Sequence, residues 1–349
     1  MFNLEKLVRK HILTLKPYSS ARDEYSGNEG IFIDANENPY HSVGNLDFNR
    51  YPDPYQKELK KEIAEIKNVA ANQIFLGNGS DEIIDYITRT FCEPYQDNIL
   101  IMPPTFAMYK VNALINTVEV KEAPLDQNFQ MDEKKVHELI DENTKVVYVC
   151  TPNNPTGNNL AYQAIINILE SDYNGIVVID EAYLEFSGRD SFTSMLDKYP
   201  NMIVLQTFSK AWGMAGLRLG MGFASSEIIH MLNKIKPPYN LSQLTQETAL
   251  KALSQKEQMT KMVEDMIIER KFLEEEFAKL SVVEKIYPSD TNFILVRVSN
   301  PNKVFTTLLN KLIIVRNQSH VAQCEGCLRI TAGTREENIA LIETLQELS

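Results

Sequence analysis

The residue with the clearest chemical potential is a lysine set among glycines, in the segment TFSKAWGMAGLRLG at residues 207–220. Lys210 follows a β-branched run that predicts a strand, so its amine is expected where α/β proteins bind ligands, at the carboxyl end of the strand. An amine placed there forms an imine with an aldehyde if its pKa falls from about 10.4 toward neutrality. For this segment alone, a solvated lysine followed by a tight glycine turn is the alternative interpretation.

Polar side chains also end two other predicted strands, in VIDEAY at 178–183 and in CTPNNPTG at 150–157. Asp180 closes a buried strand and must be paired or hydrogen-bonded; a pyridinium nitrogen would be such a partner, and the carboxylate would then make the ring an electron sink. Asn154, in a proline-rich turn, and Tyr183 can each donate to a phenolate oxygen. For VIDEAY alone, a helix-capping aspartate is the favoured interpretation, and for the proline-rich segment alone an ordinary loop is the alternative.

An anion site is predicted at GNGSDE, residues 77–82, a glycine-containing turn between a strand and a helix. Ser80 and Asp81 fall at the expected helix start, where free backbone N–H groups and the helix dipole attract anions. Ser209 and Arg218 converge from the lysine segment, so a phosphate monoester fits here. A capped helix without a ligand is the alternative.

The elements that would position these residues alternate between short β-branched runs and amphipathic stretches. The predicted strands are 74–77, 98–102, 145–150, 176–180, 203–208 and 219–224. The amphipathic stretches are 81–91, 105–115 and 160–170. Because apolar runs without alternation suit strands covered on both faces, the pattern indicates an α/β fold with a mostly parallel central sheet flanked by helices.

After Lys236-Pro237-Pro238 the pattern changes to that of a smaller α+β unit. The predicted elements are one long charged helix at 241–280, strands at 292–298, 312–316 and 327–331, and helices at 302–311 and from 336. We therefore expect a large domain at 46–250 and a small domain at 251–349. Residues 1–45 are expected to form an arm and part of the small domain, since chain ends often lie close together.

Composition excludes several classes of function. The chain has 349 residues, and its 35 Lys+Arg against 47 Asp+Glu give a net charge of −12, which disfavours nucleic acid and anionic membranes as partners. Residues 4–15 place apolar side chains on one helical face with charges interleaved, unlike a signal peptide, so a cytoplasmic enzyme is expected. No metal site is predicted, and the lone CEGC at 324–327 is interpreted as a turn before a strand.

The chain resembles the fold-type I aminotransferases that use pyridoxal 5′-phosphate. The resemblance rests on the joint pattern of the lysine, the acid, the Asn-Pro-Thr-Gly turn and the anion site. The resemblance implies that Lys210 holds the cofactor as an imine and moves the substrate proton, and that Asp180 pairs with the ring nitrogen. It implies further contacts from Asn154 and Tyr183 to the 3′ oxygen, from Ser80, Asp81, Thr207, Ser209 and Arg218 to the phosphate, and from Phe106 of PPTFAMY to the ring face. Members often carry tyrosine where this chain has Phe106.

Further segments are similar to the histidinol-phosphate aminotransferase family. They are LKPYSSAR at 15–22, DANENP at 34–39, NRYPDP at 49–54, IVRNQ at 314–318 and CLRITAGTREEN at 327–338. The resemblance implies that Arg329 binds the glutamate carboxylate, and that Arg329 and Arg316 meet the phosphate of the other substrate, which Tyr18 also approaches. Tyr51 is implied to reach the cofactor phosphate of a neighbouring subunit, making the enzyme a homodimer.

The resemblance implies an amino transfer in two stages, as part of histidine biosynthesis. Glutamate gives up its amino group and becomes 2-oxoglutarate, and the keto counterpart of L-histidinol phosphate then receives that amino group. Two related activities remain open, an L-threonine-O-3-phosphate decarboxylase and an aromatic amino acid aminotransferase. A cofactor-binding regulator is a third alternative, but such regulators carry a basic DNA-binding module, which neither the chain start nor the net charge provides.

Overall fold

The computed structural model describes residues 2–19, 29–44 and 46–349, and its larger sheet has seven strands. In chain order the strands are β1 (Ile74–Asn78), β2 (Asn98–Ile101), β3 (Glu119–Glu122), β4 (Thr144–Cys150), β5 (Ile176–Asp180), β6 (Met202–Thr207) and β7 (Leu219–Ala224). Their order across the sheet is β1-β7-β6-β5-β4-β2-β3. Only β7 runs antiparallel to its neighbours, which confirms the predicted mostly parallel sheet.

Helices cover both faces of this sheet. In chain order they are α1 (Leu4–Leu7), α2 (Lys10–Thr14), α3 (Lys57–Lys67), α4 (Ser80–Phe91), α5 (Met108–Ile115), α6 (Glu133–Leu139), α7 (Tyr162–Leu169), α8 (Ser226–Ile235) and α9 (Gln243–Leu253). Successive residues of a strand point to opposite faces and join separate apolar clusters, as Val147 and Tyr148 do in β4. Burial on both faces explains why these strands lack an alternating pattern.

The smaller sheet is antiparallel, with the order β10-β11-β9-β8. Its strands are β8 (Val283–Ile286), β9 (Phe293–Val298), β10 (Arg316–Asn317) and β11 (Cys327–Thr331). The helices of this region are α10 (Lys256–Phe277), α11 (Pro301–Asn310) and α12 (Arg335–Gln346). Met259, near the start of α10, joins the core of the large sheet, whereas Leu273 and Phe277 join that of the small one.

The structure differs from the predicted elements in three local respects. The single helix expected at 241–280 is two helices, α9 and α10, separated at Ser254 and Gln255. The edge strands β3 and β8 lay outside the predicted elements because EVKE and VEKI carry too few buried apolar residues. The strand expected at 312–316 is reduced to β10, since Leu312 takes a left-handed φ of 60° and the Ile313 N–H donates to the Leu308 carbonyl, a helix-terminating motif.

The position of the N-terminal helices differs from a further expectation. The helices α1 and α2 pack into an apolar cluster of the large sheet and not on the small domain. Leu7 and Ile12 are buried in the cluster that contains Phe91 of α4, and Arg9 pairs with Glu93 at 3.1 Å. The single helical face expected at 4–15 is divided between α1 and α2, since Val8 ends α1 in an extended conformation. The domain boundaries near 46 and 250 stay predictions.

The CEGC segment forms the predicted turn before β11. The Cys327 N–H donates to the Cys324 carbonyl at 2.9 Å, and Gly326 takes a φ of 77°. Both cysteines are buried free thiols, as are Cys92 and Cys150. Within residues 2–19, 29–44 and 46–349, no helix combines the length and apolarity that crossing a bilayer requires.

Candidate active site

A cavity of about 170 Å³ opens where the carboxyl ends of β4, β5 and β6 meet the start of α4. The register explains the meeting point, because Cys150 at the end of β4 lies beside Asp180 at the end of β5, which in turn lies beside Leu205 of β6. The predicted site residues that line the cavity are Ser80, Asp81, Phe106, Asn154, Asp180, Tyr183, Thr207, Ser209, Lys210 and Arg218. Segments far apart in the sequence therefore converge on one place, as the strand-end argument requires.

Asp180 lies at the cavity floor and is 3% exposed. Its Oδ2 accepts a hydrogen bond of 2.6 Å from the Tyr109 hydroxyl, and its Oδ1 accepts one of 3.0 Å from the Ala182 N–H. Burial raises the pKa of Asp180, while these two donors and the Lys210 charge act in the opposite direction. The carboxylate is thus held by donors on both oxygens beside the cavity.

Tyr109 is the residue of this site that the sequence analysis missed. It lies three positions after Phe106 in PPTFAMY, and the two rings meet edge to face with centroids 5.5 Å apart. The available signal was the second aromatic residue of PPTFAMY, at the start of α5. Its contact with Asp180 depends on packing across 71 residues, which no local pattern encodes.

Lys210 enters the cavity from a tight turn after β6. The Gly213 N–H donates to the Lys210 carbonyl and the Met214 N–H to the Phe208 carbonyl, both at 3.0 Å. The Lys210 Nζ lies 5.4 Å from the centroid of the Tyr183 ring. Burial lowers the pKa of Lys210, and the nearby Arg329 charge lowers it further. A larger fraction of neutral amine is the form that attacks a carbonyl carbon.

The start of α4 forms a cup for an anion. Gly79, before the helix, has a φ of 77°, and no side chain caps the first turn, so its N–H groups face outward without an intrahelical partner. The Arg218 guanidinium stands beside this turn, with Nη2 3.4 Å from Asp81 Oδ2. A Cβ on Gly220 of β7 would lie 2.3 Å from the Ser80 nitrogen, so the strand and the helix start approach this closely only with glycine.

The hydroxyl side of the cup comes from the end of β6. The Thr207 hydroxyl donates to the Ser209 Oγ at 3.0 Å and accepts from the Ser209 N–H at 3.1 Å. This arrangement fixes both hydroxyls on the cavity wall close to the lysine turn. A helix N-terminus, a guanidinium and two hydroxyls are a donor set suited to a phosphate.

Arg329 of β11, in the small sheet, contacts Asn154 of the cavity lining. Its Nη1 donates a short hydrogen bond to the Asn154 Oδ1, and its guanidinium lies 5.3 Å from the centroid of the Phe293 ring. Burial lowers the pKa of Arg329, and the Arg316 charge contributes to this shift. Arg316 is its cross-strand partner in β10 and is exposed, so the two guanidinium-bearing residues share one face of the small sheet.

Four predicted site residues are outside the cavity lining of the single chain: Arg316, Arg329, Tyr18 and Tyr51. Tyr51 stacks on Tyr239 with ring centroids 4.4 Å apart and remains half exposed. Tyr18 is 74% exposed and lines a second cavity of about 290 Å³ together with His230 and Lys234. The roles that the resemblance gives these tyrosines therefore depend on a second copy of the chain or on movement of the arm.

Glu181 is a second buried acid that the sequence analysis did not single out. It follows Asp180 but points away from the cavity, where it accepts hydrogen bonds from the Ser191 hydroxyl at 2.6 Å, the Phe192 N–H at 2.7 Å and the Gln206 amide at 2.8 Å. Burial raises its pKa to about 7. Glu181 thus ties the segment at 191–192 to the back of the sheet that carries the site.

The comparisons with known proteins agree with this geometry. The family model "Aminotransferase class I and II" matches residues 32–345. The histidinol-phosphate aminotransferase of Cytophaga hutchinsonii is 50% identical over 345 residues, which cover 99% of each chain. The solved structure of the histidinol-phosphate aminotransferase from Clostridium acetobutylicum has a TM-score of 0.80 at 26% identity, covering 86% of this chain and 91% of that one.

A structure solved with pyridoxal 5′-phosphate has the same fold. The histidinol-phosphate aminotransferase of Sinorhizobium meliloti has a TM-score of 0.77 at 23% identity, covering 88% of this chain and 84% of that one. With a family model that spans most of the sequence and a full-length relative at 50% identity, the assignment of family is direct. The chain belongs to the class I and II aminotransferase family.

Proposed function

We propose that this chain is a pyridoxal 5′-phosphate-dependent aminotransferase that interconverts L-histidinol phosphate and 2-oxoglutarate with imidazole-acetol phosphate and glutamate, in histidine biosynthesis. The observation that supports this type of reaction is one cavity lined by the Lys210 amine, the Asp180 carboxylate and the uncapped start of α4. The choice of substrate rests on the relative that is 50% identical over its full length.

The residues present fit the cofactor. The cup at Ser80, Ser209 and Arg218 suits its phosphate, since the helix start lacks a side-chain cap and a guanidinium stands beside it. The buried Asp180 suits a protonated ring nitrogen, because a buried carboxylate needs a charged or hydrogen-bonding partner. We propose that Asn154 and Tyr183 donate to the ring hydroxyl oxygen, that Phe106 packs on the ring, and that Asp81 and Thr207 complete the phosphate cup.

When bound, pyridoxal 5′-phosphate supplies an aldehyde carbon that accepts the amino group and a ring that takes up electron density. Lys210 is the amine that would hold this aldehyde, and we propose that it moves a proton at the substrate α-carbon. Partial burial beside the Tyr183 ring lowers the pKa of Lys210, which favours the neutral amine that a nucleophile requires.

Arg329 and Arg316 are proposed to select the two substrates. Both substrates present an anion, a carboxylate in glutamate and a phosphate monoester in L-histidinol phosphate. A guanidinium offers a planar fork of donors that matches either group, so one site serves both stages of the exchange. The contact between the Arg329 guanidinium and Asn154, which lines the cavity, supports this role.

We propose that the active enzyme is a homodimer in which Tyr51 reaches the cofactor phosphate of the partner and Tyr18 approaches the substrate phosphate. The segment before Tyr51 supports this, because apolar side chains in it are almost fully exposed in the single chain, as Ile31 and Val43 are at 92% and 99%. A second copy would cover them. Mixing Lys210→Ala and Tyr51→Ala chains tests sharing, since a hybrid dimer with one intact site should recover activity that neither variant has alone.

We also propose a cytoplasmic location. All four cysteines are free thiols, which suits a reducing compartment. Fractionation of the native host with an antibody against the chain tests this directly.

One experiment separates the proposed reaction from its rivals. The purified chain, loaded with pyridoxal 5′-phosphate, is mixed first with glutamate and then with imidazole-acetol phosphate, while absorbance and products are followed. Conversion of the cofactor to its amine form, its reversal by the keto phosphate, and appearance of L-histidinol phosphate are expected, with ping-pong kinetics. Carbon dioxide released from L-threonine-O-3-phosphate would identify a decarboxylase, and a preference for aromatic keto acids would identify an aromatic aminotransferase.

A further inference from the structure

The Tyr109 hydroxyl is directed at one atom of the site. Tyr109 is fully buried, and its only polar side-chain atom lies 2.6 Å from the Oδ2 of Asp180. The other carboxylate oxygen accepts from the Ala182 N–H at 3.0 Å. Asp180 itself lines the cavity, whereas Tyr109 stands behind it, so the phenol contacts the acid from the protein interior.

The surrounding rings fix the direction of this hydroxyl. The Tyr109 ring stacks on the Tyr148 ring with centroids 4.5 Å apart and an interplanar angle of 12°. On another side it meets Phe106 edge to face at 85°. Phe106 also lines the cavity, so the segment PPTFAMY supplies one ring at the proposed cofactor face and a second ring that reaches the acid. Stacked and edge-packed aromatic rings hold their orientation.

We propose that Tyr109 is a positioning residue for Asp180, the acid that would pair with the ring nitrogen of the cofactor. Its hydroxyl holds Asp180 as an oriented carboxylate. The cavity therefore binds a protonated pyridine ring in preference to a ring without nitrogen. This inference rests on the proposed function, because it presupposes that a pyridine cofactor occupies the cavity. It adds a residue that does not touch the cofactor and acts only through Asp180.

Burial and hydrogen bonding shift the pKa of Asp180 in opposite directions. Burial raises the pKa of Asp180, and a protonated acid pairs poorly with a pyridinium. The Tyr109 hydrogen bond lowers the pKa of Asp180 and thus favours the carboxylate. Burial together with the Asp180 charge holds the pKa of Tyr109 well above its usual value, so the phenol keeps its proton and remains the donor.

The test compares two isosteric variants of stacked, buried tyrosines. Tyr109→Phe removes the hydroxyl that bonds Asp180, and Tyr148→Phe removes a hydroxyl that makes no hydrogen bond to Asp180. Each full-length chain is stripped of cofactor and titrated with pyridoxal 5′-phosphate and with its carbon analogue, in which a C–H group replaces the ring nitrogen. Both ligands keep the aldehyde and the phosphate, so only the nitrogen contact differs between them.

We expect Tyr109→Phe to weaken the binding of pyridoxal 5′-phosphate by about ten- to a hundredfold, the usual effect of losing a hydrogen bond to a charged group, and to leave the affinity for the carbon analogue unchanged. Tyr148→Phe should leave both affinities unchanged. In an Asp180→Asn background, Tyr109→Phe should have no further effect, because the carboxylate it supports is gone.

Equal losses for the two ligands, or no loss for either, would overturn the inference, since a merely structural role moves both affinities together. If Tyr109→Phe alone does not fold, a Tyr109→Phe/Asp180→Asn chain that does fold would support the pairing, and one equally unfolded would overturn it. Failure of the proposed function would look different, because then the unchanged chain itself would not bind pyridoxal 5′-phosphate or respond to glutamate.

Discussion

Replacement of Gly220 by alanine should separate β7 from the start of α4 and so damage the phosphate cup. A Cβ at this position would lie 2.3 Å from both the Gly79 carbonyl carbon and the Ser80 nitrogen. Both are backbone atoms in a well-packed region, so no flexible side chain can yield. Restoring ordinary carbon contact requires the helix start to move by about 1 Å, because non-bonded heavy atoms rest near 3.5 Å.

Two magnitudes follow from this displacement. Overpacking of this kind costs about 1–3 kcal/mol in the free energy of unfolding. A misplacement of about 1 Å at a group that positions a ligand costs up to roughly a hundredfold, so the affinity for pyridoxal 5′-phosphate should fall by one to two orders of magnitude. Urea unfolding of the cofactor-free chain measures the first, and absorbance titration with the cofactor measures the second.

Gly222→Ala is the matched control, because Gly222 lies on the same strand and the same face. A Cβ there would meet the Cγ2 of Ile83 at 3.3 Å, which is a side-chain atom that can shift slightly. This variant should retain near-normal cofactor affinity. Gly220→Ala chains that bind cofactor as tightly as Gly222→Ala chains would refute the argument that close backbone approach forms the cup.

Four further outcomes are expected. Lys210→Ala should abolish transamination and the near-visible absorbance of lysine-bound cofactor, as read by spectroscopy and product assay; retention of both would contradict its role. Asp180→Ala should lower the rate at least a hundredfold while lysine-bound cofactor still forms, and unchanged turnover would argue against electron withdrawal. Arg329→Ala should raise the KM for glutamate far more than the Kd for cofactor; equal effects would reject its assignment. Burial raises the pKa of Glu181 from 4.5 to about 7, so between these pH values the folded chain retains a proton that the unfolded chain loses. The free energy of unfolding, measured relative to Glu181→Gln by urea titration, should therefore fall by about 3 kcal/mol as the pH rises from 4.5 to 7. A difference that stays constant with pH would contradict the raised pKa.

Much of the site was predictable because parallel strands bring their carboxyl ends to one edge. Asn154, Asp180 and Lys210 each follow a buried apolar run, and the structure places all three around one cavity. Only the run pattern and the motif that follows it were needed for this inference. The glycine-containing turn at 77–82 was equally informative, since its conformation is local.

The remaining features depend on packing that local sequence does not encode. The Tyr109–Asp180 contact joins residues 71 positions apart, and any buried tyrosine near a helix start has the same local appearance. The arm at residues 4–14 has an apolar face that fits either domain, and only the structure shows Leu7 and Ile12 against α4 and its neighbours. Edge strands such as β3 bury too little apolar surface to leave a clear pattern.

The charges around the cavity indicate how substrate binding would change the pKa of Lys210. Arg329 stands second only to burial in lowering the pKa of Lys210, and in the ligand-free chain its guanidinium donates to Asn154. A carboxylate or phosphate bound at Arg329 neutralises that charge and therefore raises the pKa of Lys210. The amine is then most reactive as a nucleophile when the substrate site is empty and most able to accept a proton when it is filled. If Arg329 binds the substrate anion as proposed, it links anion binding to the protonation of Lys210.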